Sequence, residues 1–221
     1  MQIKKCEIGS NILLSNDPGW IRDKVYENQL VISGVYEFGH FGVWSQRRSI
    51  YLHHDKLSKL LRYLDINFVI LCSGFLFKNH TDSKEKMLEM MREIVKRYTN
   101  IGIHVGIHPH KATSIFTSED IDLVLEYEKE NISLVPDLSH LKAANLNLYK
   151  FYEKYYDVIT EFHIKGMKKI HDQHYQINQE EVDFLSFLIK SNYRKLLTLE
   201  IDRIEPKAIE VVEGSLKMFY Q

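Results

Sequence analysis

Four segments of this chain that have the residue pattern of β-strands end in side chains able to bind a divalent metal. The side chains are His108, Asp137, His163 and Glu200. Each belongs to a run rich in valine, isoleucine, leucine and phenylalanine, which is the composition of buried strands. Two imidazoles and two carboxylates form a mixed nitrogen and oxygen set, which suits Mn²⁺, Co²⁺, Zn²⁺ or Fe²⁺ and, less well, Mg²⁺. The residue types therefore predict one divalent metal site.

Each of these side chains also has an ordinary structural interpretation. A histidine at a strand end is often a polar rim residue, Asp137 could cap the helix that follows it, and Glu200 could pair with Arg194 or Arg203. The metal site is favoured because the four side chains come at strand ends in order along the chain. Scattered surface histidines would not keep this register.

Strand-like and helix-like segments alternate along the sequence. Seven runs have the residue types of strands: Ile3–Gly9, Leu30–Tyr36, Asn67–Ser73, Ile103–His108, Ile132–Asp137, Val158–Ile164 and Lys195–Ile201. Segments with apolar residues at helical spacing lie between most of them, and a last helix is predicted over about Lys207–Tyr220. This alternation predicts an α/β fold with a parallel sheet, either open and doubly wound or closed into a barrel.

The chain has no glycine-rich motif of the form G-x-G-x-x-G or G-x-x-x-x-G-K-[ST]. An open dinucleotide-binding sheet normally has such a turn after its first strand, so its absence favours a (β/α) TIM-type barrel. In such a barrel the carboxyl ends of the strands meet at one mouth, where active sites are built. This geometry would bring the four predicted ligands together.

The bulk composition is that of a globular protein and argues against several functional classes. The chain has 221 residues, 44% of them hydrophobic and 27% charged, and we expect a single domain over residues 1–221. The net charge of -1 gives no support for nucleic-acid binding. Two cysteines fit neither a disulfide framework nor a thiolate metal site, and no run has the length of a signal peptide or a membrane helix. We therefore expect a cytoplasmic protein without nucleic-acid or membrane partners.

The stretch from Ile103 to Asp202 resembles the second half of the xylose isomerase-like family, which includes sugar isomerases, ketose epimerases, inosose dehydratases and zinc AP endonucleases. The resemblance implies a barrel with one divalent metal and adds His140 as a residue that contacts substrate or a second metal. Three motifs carry it: Val-Pro-Asp137-Leu-Ser-His140 is similar to D-x-x-H, Phe-His163-Ile-Lys165-Gly166 to H-x-K-D, and Leu-Thr-Leu-Glu200 to the final ligand glutamate.

The segment Gly106-Ile-His108-Pro-His110-Lys-Ala-Thr113 departs from the family's E-x-H and resembles the H-P-H-x-x-T form of the inosose-dehydratase-like branch. His108 then stands at the position of a ligand glutamate, and His110 at that of the neighbouring histidine. The candidate substrate contacts are His40, His110, His140 and His174.

The N-terminal part suggests that the first β-α unit of the barrel is absent. Lys5-Cys6-Glu7-Ile8 resembles the second strand of the family and not the first. The barrel would then have seven strands and an open seam, which is costly unless it is covered. A partner subunit in a homodimer, or a rearranged N-terminal segment, could cover it.

The chemistry that the resemblance implies is isomerisation, epimerisation or dehydration of a small sugar or keto-polyol through an enediolate. The metal would bind neighbouring carbonyl and hydroxyl oxygens of the substrate. Glu200 is the best candidate for the base or a ligand, and Lys165 could stabilise developing negative charge. Because family epimerases use two glutamates and His108 replaces the first, isomerisation or dehydration is favoured over two-base epimerisation.

Three other functions remain open. One is a degenerate, non-catalytic sugar-binding barrel, because Gly166 replaces the acid of H-x-K-D and His108 replaces a ligand glutamate. Another is a phosphoester hydrolase like the AP endonucleases, which the near-neutral charge disfavours. The third is an amidohydrolase-type site, suggested by His108 and His110. That class has H-x-H on its first strand and ends with aspartate, so it is disfavoured as well.

Overall fold

The computed structural model describes residues 4–75, 83–164, 168–170, 174–176 and 179–200. Strands and helices alternate over most of this length. The strands are β1 (Lys5–Gly9), β2 (Val31–Phe38), β3 (Phe68–Cys72), β4 (His104–His108), β5 (Ile132–Leu134), β6 (Glu161–Ile164), β7 (Lys168–Ile170), β8 (His174–Gln176) and β9 (Leu196–Leu199). The α-helices are α1 (Ser10–Ser15), α2 (Pro18–Glu27), α3 (Arg47–Tyr63), α4 (Lys84–Thr99), α5 (Ser118–Glu128), α6 (Leu138–Ala143), α7 (Leu148–Tyr155) and α8 (Gln179–Lys190).

The chain divides into two compact units, with the boundary between Leu134 and Val135. The first unit contains a parallel sheet in the order β1-β2-β3-β4-β5, so strands that are consecutive in the chain are neighbours in the sheet. Every residue of β3 is buried, as is usual for parallel strands with both faces covered. The register sets Phe38 opposite Cys72 and Cys72 opposite His108, which aligns the carboxyl ends of β2, β3 and β4.

The second unit is built around β6 and β9, which are parallel, with Glu161 opposite Leu196. An isolated parallel bridge between Asp137 and His163 adds the segment before α6 to the other side of β6. The rings of Phe162 on β6 and Phe184 on α8 meet edge to face, with their centroids 5.6 Å apart. The Asp137 segment, β6 and β9 therefore lie side by side, and aromatic side chains pack between β6 and α8.

The seven predicted strands are all present, as β1 to β6 and β9, with ends within a few residues of the predicted positions. The antiparallel β7–β8 hairpin and the helices α1, α2 and α6 were not predicted. The hairpin strands are short and lack apolar alternation, so they have no strand signal in the sequence. The predicted helix at 207–220 lies outside the described residues, and the single domain over 1–221 stays a prediction.

A membrane span needs a long and apolar helix. Among the helices in the described ranges, none meets both requirements.

Candidate metal site

Three neighbouring parallel segments of the second unit end in predicted metal ligands. The backbone amide of His163 donates to the carbonyl oxygen of Pro136 at 2.9 Å, which holds the Asp137 segment beside β6. On the other side of β6, the amide of Glu200 donates to the carbonyl oxygen of Ile164 at 3.0 Å. Because the segments are parallel, their carboxyl ends lie at the same edge. Backbone pairing thus brings an aspartate, a histidine and a glutamate to one edge of this unit.

The imidazole of His163 and the carboxylate of Glu200 are in contact. Nδ1 of His163 lies 3.2 Å from Oε2 of Glu200. Two ligand atoms that are each about 2.1 Å from one ion are roughly 3 Å apart, so this separation suits two ligands of a shared ion. The His163 side chain is 2% exposed and that of Glu200 is 29% exposed. The imidazole is therefore enclosed, whereas the carboxylate reaches solvent.

Asp137 is fully buried and caps helix α6. Its Oδ1 atom accepts hydrogen bonds from the backbone amides of Ser139, at 2.6 Å, and His140, at 3.0 Å. The capping interpretation raised by the sequence is therefore correct for Asp137. It does not exclude a ligand role, because the two amide bonds go to one oxygen of a group that has two.

By residue type, the donor set of this unit suits a divalent metal, and the ligand atoms of His163 and Glu200 are close enough to share one ion. Two carboxylates and one imidazole combine oxygen and nitrogen ligands, as Mn²⁺, Co²⁺, Zn²⁺ and Fe²⁺ prefer. Three protein ligands are also the number typical of catalytic zinc sites, which leave a position for water or substrate. Asp137 and Glu200 would supply the negative charge that a divalent ion needs, and His163 the neutral nitrogen.

The other predicted residues of the second unit are only partly described. His140 lies in the first turn of α6 and is partly buried, and its backbone amide donates to the Asp137 cap. Lys165 lies outside the described residues. His174 belongs to β8, but its side chain lies outside them. Their proposed roles stay predictions.

In the first unit, His108 and His110 lie together at the carboxyl end of β4. The buried ring of His108 meets Tyr36 edge to face, with centroids 5.5 Å apart, and lies 5.8 Å from the ring of His110. Nδ1 of His110 is 2.7 Å from the carbonyl oxygen of Lys111, which fixes that ring in the loop. Metal binding by His108 and substrate contact by His110 stay predictions.

His40 follows β2 and lies among aromatic rings of the first unit. Its ring stacks on Phe38 at 5.8 Å, and Phe38 in turn lies 5.5 Å from Phe75. Burial lowers the pKa of His40, so the imidazole is neutral at pH 7. The close approach requires Gly74, because a Cβ there would lie 2.9 Å from Cα of His40. A neutral imidazole offers one donor and one acceptor, which suits a hydroxyl-rich ligand.

A carboxylate–imidazole pair that the sequence analysis did not assign links β2 to α3. Oε2 of the buried Glu37 lies 2.7 Å from Nε2 of His53. Burial opposes ionisation of Glu37, but hydrogen bonds to His53 and Ser10 outweigh it and lower the pKa of Glu37. The same bond raises the pKa of His53. No local motif reveals this pair, because the two residues meet only through the packing of α3 on the sheet.

A family model described as a xylose isomerase-like TIM barrel matches residues 22–221. Among curated proteins, an inosose dehydratase of Lacticaseibacillus casei is 26% identical over 108 residues, which cover 48% of this chain and 35% of that protein. The match therefore spans about a third of the length of that relative.

Solved structures share the fold at low sequence identity. The probable 3-DHS dehydratase AsbF of Bacillus anthracis superposes with a TM-score of 0.79 at 11% identity, covering 99% of this chain and 89% of that one. The 3-keto-D-glucoside 4-epimerase YcjR of E. coli gives 0.76 at 15% identity, with 97% and 88% covered. IolI, solved with a bound zinc atom, gives 0.69 at 13% identity, with 98% and 85% covered. The predicted α/β fold of the TIM-barrel class is confirmed.

Proposed function

The chain belongs to the xylose isomerase-like TIM barrel family, and on that basis we propose that it is a divalent-metal-dependent isomerase, epimerase or dehydratase of a small sugar or keto-polyol. The observation that carries the proposal is the 3.2 Å contact between Nδ1 of His163 and Oε2 of Glu200. The buried carboxylate of Asp137 follows the adjacent parallel segment. Three side chains of metal-binding type thus come from three neighbouring strand ends.

The proposed ligands in the second unit are Asp137, His163 and Glu200. Because an imidazole is among them, Mn²⁺, Co²⁺, Zn²⁺ and Fe²⁺ suit the set better than Mg²⁺. The zinc atom bound by the structural neighbour IolI supports a divalent ion in this fold. His108 keeps its predicted ligand role as a separate hypothesis, which metal analysis of His108→Ala would test.

The protein side chains would have distinct roles in the reaction. A divalent ion bound here would supply Lewis acidity at neighbouring carbonyl and hydroxyl oxygens of the substrate. Glu200 is the proposed base, because its carboxylate is 29% exposed whereas Asp137 and His163 are buried. Lys165 is proposed to offset negative charge that develops on a substrate oxygen.

Within this class we favour dehydration or isomerisation over two-base epimerisation. Two-base epimerisation needs a carboxylate on each side of the substrate, and the resemblance of the His108 segment to the family motif implies that a histidine replaces the first one. Loss of water, or transfer of a proton between neighbouring carbons, needs one base such as Glu200 and one acid. The match to an inosose dehydratase over 108 residues supports this choice.

The substrate is proposed to be held by imidazoles. His40, His110, His140 and His174 are the candidates. For His40, the lowered pKa means that the ring is neutral and can both donate and accept a hydrogen bond. A ring with one donor and one acceptor can pair with a sugar hydroxyl, which also has both.

The first test is the metal content of the purified wild-type protein beside Asp137→Ser and Glu200→Gln. Serine keeps the helix cap and removes the carboxylate, while glutamine keeps the shape of Glu200. The matched control is Glu180→Gln. It removes the charge of an exposed carboxylate in the same unit, which forms a salt bridge with Lys142. We expect about one ion per chain in the wild type and control, and loss of it in both site variants.

The second test is turnover of keto-inositols and ketoses with Mn²⁺ or Co²⁺. Turnover that Glu200→Gln abolishes would support the enzymatic proposal. Wild-type protein that binds no metal after incubation with Mn²⁺, Co²⁺ and Zn²⁺ would refute it. Metal and sugar binding without turnover of any of these compounds would favour the non-catalytic sugar-binding barrel.

A further inference from the structure

Glu161 is a buried carboxylate that the proposed function does not use. It begins strand β6, two residues before His163, and its side chain is 1% exposed. Burying a carboxylate costs several kcal/mol unless charge or hydrogen bonds compensate it. A hydrophobic residue would serve better at this position if packing were its only purpose.

The position of Glu161 ties its carboxylate to the imidazole of His163. Residues two apart on a strand point to the same face, so Glu161 and His163 share one. Oε1 of Glu161 lies 3.9 Å from Nε2 of His163. Its other oxygen, Oε2, accepts a hydrogen bond of 3.4 Å from the hydroxyl of Thr198. Thr198 is the register partner of His163 on β9, so the carboxylate is held between two strands.

The two ring nitrogens of His163 therefore face two different carboxylates. Nδ1 is near Glu200, at 3.2 Å, and Nε2 is near Glu161, at 3.9 Å. The second distance is longer than a hydrogen bond, so in this geometry Glu161 acts on the ring through its charge. Without a metal, the closer carboxylate of Glu200 favours a proton on Nδ1. A divalent ion bound by Nδ1 and Oε2 of Glu200 would displace that proton, and the charge of Glu161 would then favour a proton on Nε2.

We infer that Glu161 is a positioning residue that orients the His163 imidazole, so that Nδ1 is the metal-binding nitrogen. The inference rests on the proposed function, in which His163 is a ligand. Metal-bound histidines commonly direct their second nitrogen at a carboxylate, and removal of that carboxylate lowers metal affinity about 10–100-fold. Glu161 places such a carboxylate 3.9 Å from Nε2, from within the same strand.

The test measures Co²⁺ affinity by calorimetry and the visible absorption of bound Co²⁺ for wild type, Glu161→Gln and Thr198→Val. Glutamine keeps the size of Glu161 and its ability to accept from Thr198, and it removes the charge. We expect Glu161→Gln to bind Co²⁺ about 10–100-fold more weakly with a shifted absorption band, and Thr198→Val to weaken binding less. The control is Glu128→Gln, a buried carboxylate of the first unit that is paired with Arg92. It should bind Co²⁺ like the wild type.

The outcomes separate this inference from the proposed function. Wild-type protein that binds no metal refutes the proposed function and the inference with it. Wild-type and Glu161→Gln proteins with equal affinity and equal spectra refute the inference alone. If Glu161→Gln does not fold, unchanged Co²⁺ affinity in Thr198→Val refutes it. A proton–nitrogen correlation spectrum of the zinc-loaded wild type shows directly which ring nitrogen of His163 binds the metal. Binding through Nε2 instead of Nδ1 would also refute the inference.

Discussion

Nδ1 of His163 lies 3.2 Å from Oε2 of Glu200, although 37 positions separate the two residues in the chain. The contact depends on the pairing of β6 with β9, in which Thr198 is opposite His163. A shift of one residue in this pairing would turn the Glu200 side chain to the other face of the strand. The register of two short strands therefore determines whether this predicted ligand pair exists.

The capping role of Asp137 can be separated from its proposed ligand role. Asparagine and serine cap helices about as well as aspartate, but neither has a carboxylate. We expect Asp137→Asn and Asp137→Ser to unfold like the wild type when all are metal-free, and Asp137→Ala to lose about 1 kcal/mol. All three should lose bound metal. Urea unfolding and elemental analysis measure the two effects, and full metal content in Asp137→Ser would contradict the ligand role.

The bond between Glu37 and His53 should stabilise the protein only within a pH window. The bond raises the pKa of His53 above its usual 6.5 and lowers that of Glu37 below 4.5. The contribution of His53 is thus fully present below about pH 6.5 and is lost as pH rises through its raised pKa. That of Glu37 is present above about pH 4.5 and is lost as pH falls through its lowered pKa.

His53→Gln should therefore destabilise the protein more at about pH 5.5 than at about pH 8.5. The difference should be less than about 1 kcal/mol, because the His53 side chain is 44% exposed and solvent screens the pair. Urea unfolding at the two pH values measures it. An equal loss of unfolding free energy at both would show that the charge of His53 does not contribute.

The neighbouring His54 should have the opposite pH dependence. It is fully buried, its Nδ1 lies 2.7 Å from the hydroxyl of Tyr98, and burial lowers its pKa to about 4. Between about pH 6.5 and 4 the unfolded chain binds a proton that the folded chain does not, so stability falls as the pH falls. We expect His54→Gln to be less stable at pH 7 but to lose less on acidification to about pH 5. Parallel pH profiles of wild type and variant would contradict this.

The strands were predictable because their signal is local. Runs of β-branched and aliphatic residues that end in polar ones mark β1 to β6 and β9 within a few residues. The largest error at a site residue is in the fifth strand, which was predicted to reach Asp137 but ends at Leu134. Pro136 has no amide to donate, and Asp137 turns its carboxylate to the amides of α6.

The supporting contacts were not predictable, because they join residues from separate elements. The contacts of Glu161 with His163 and Thr198 follow from the β6–β9 register. Glu37 meets His53 only after α3 has packed on the sheet. Sequence periodicity gives the face of a side chain but not its partner across elements.

Metal removal should change stability by an amount that reports on the site. An ion that binds only the folded chain stabilises it by about 2.7 kcal/mol when its free concentration is 100 times its Kd. For a chain of this size we expect a rise in melting temperature of roughly 5–10 °C when Co²⁺ or Mn²⁺ is added to EDTA-treated wild type. Glu200→Gln should show little of this rise, because it lacks a proposed ligand, whereas Glu180→Gln should respond like the wild type. An equal rise in Glu200→Gln would mean that the stabilising ion binds elsewhere, and the assignment of Glu200 as a ligand would then be wrong.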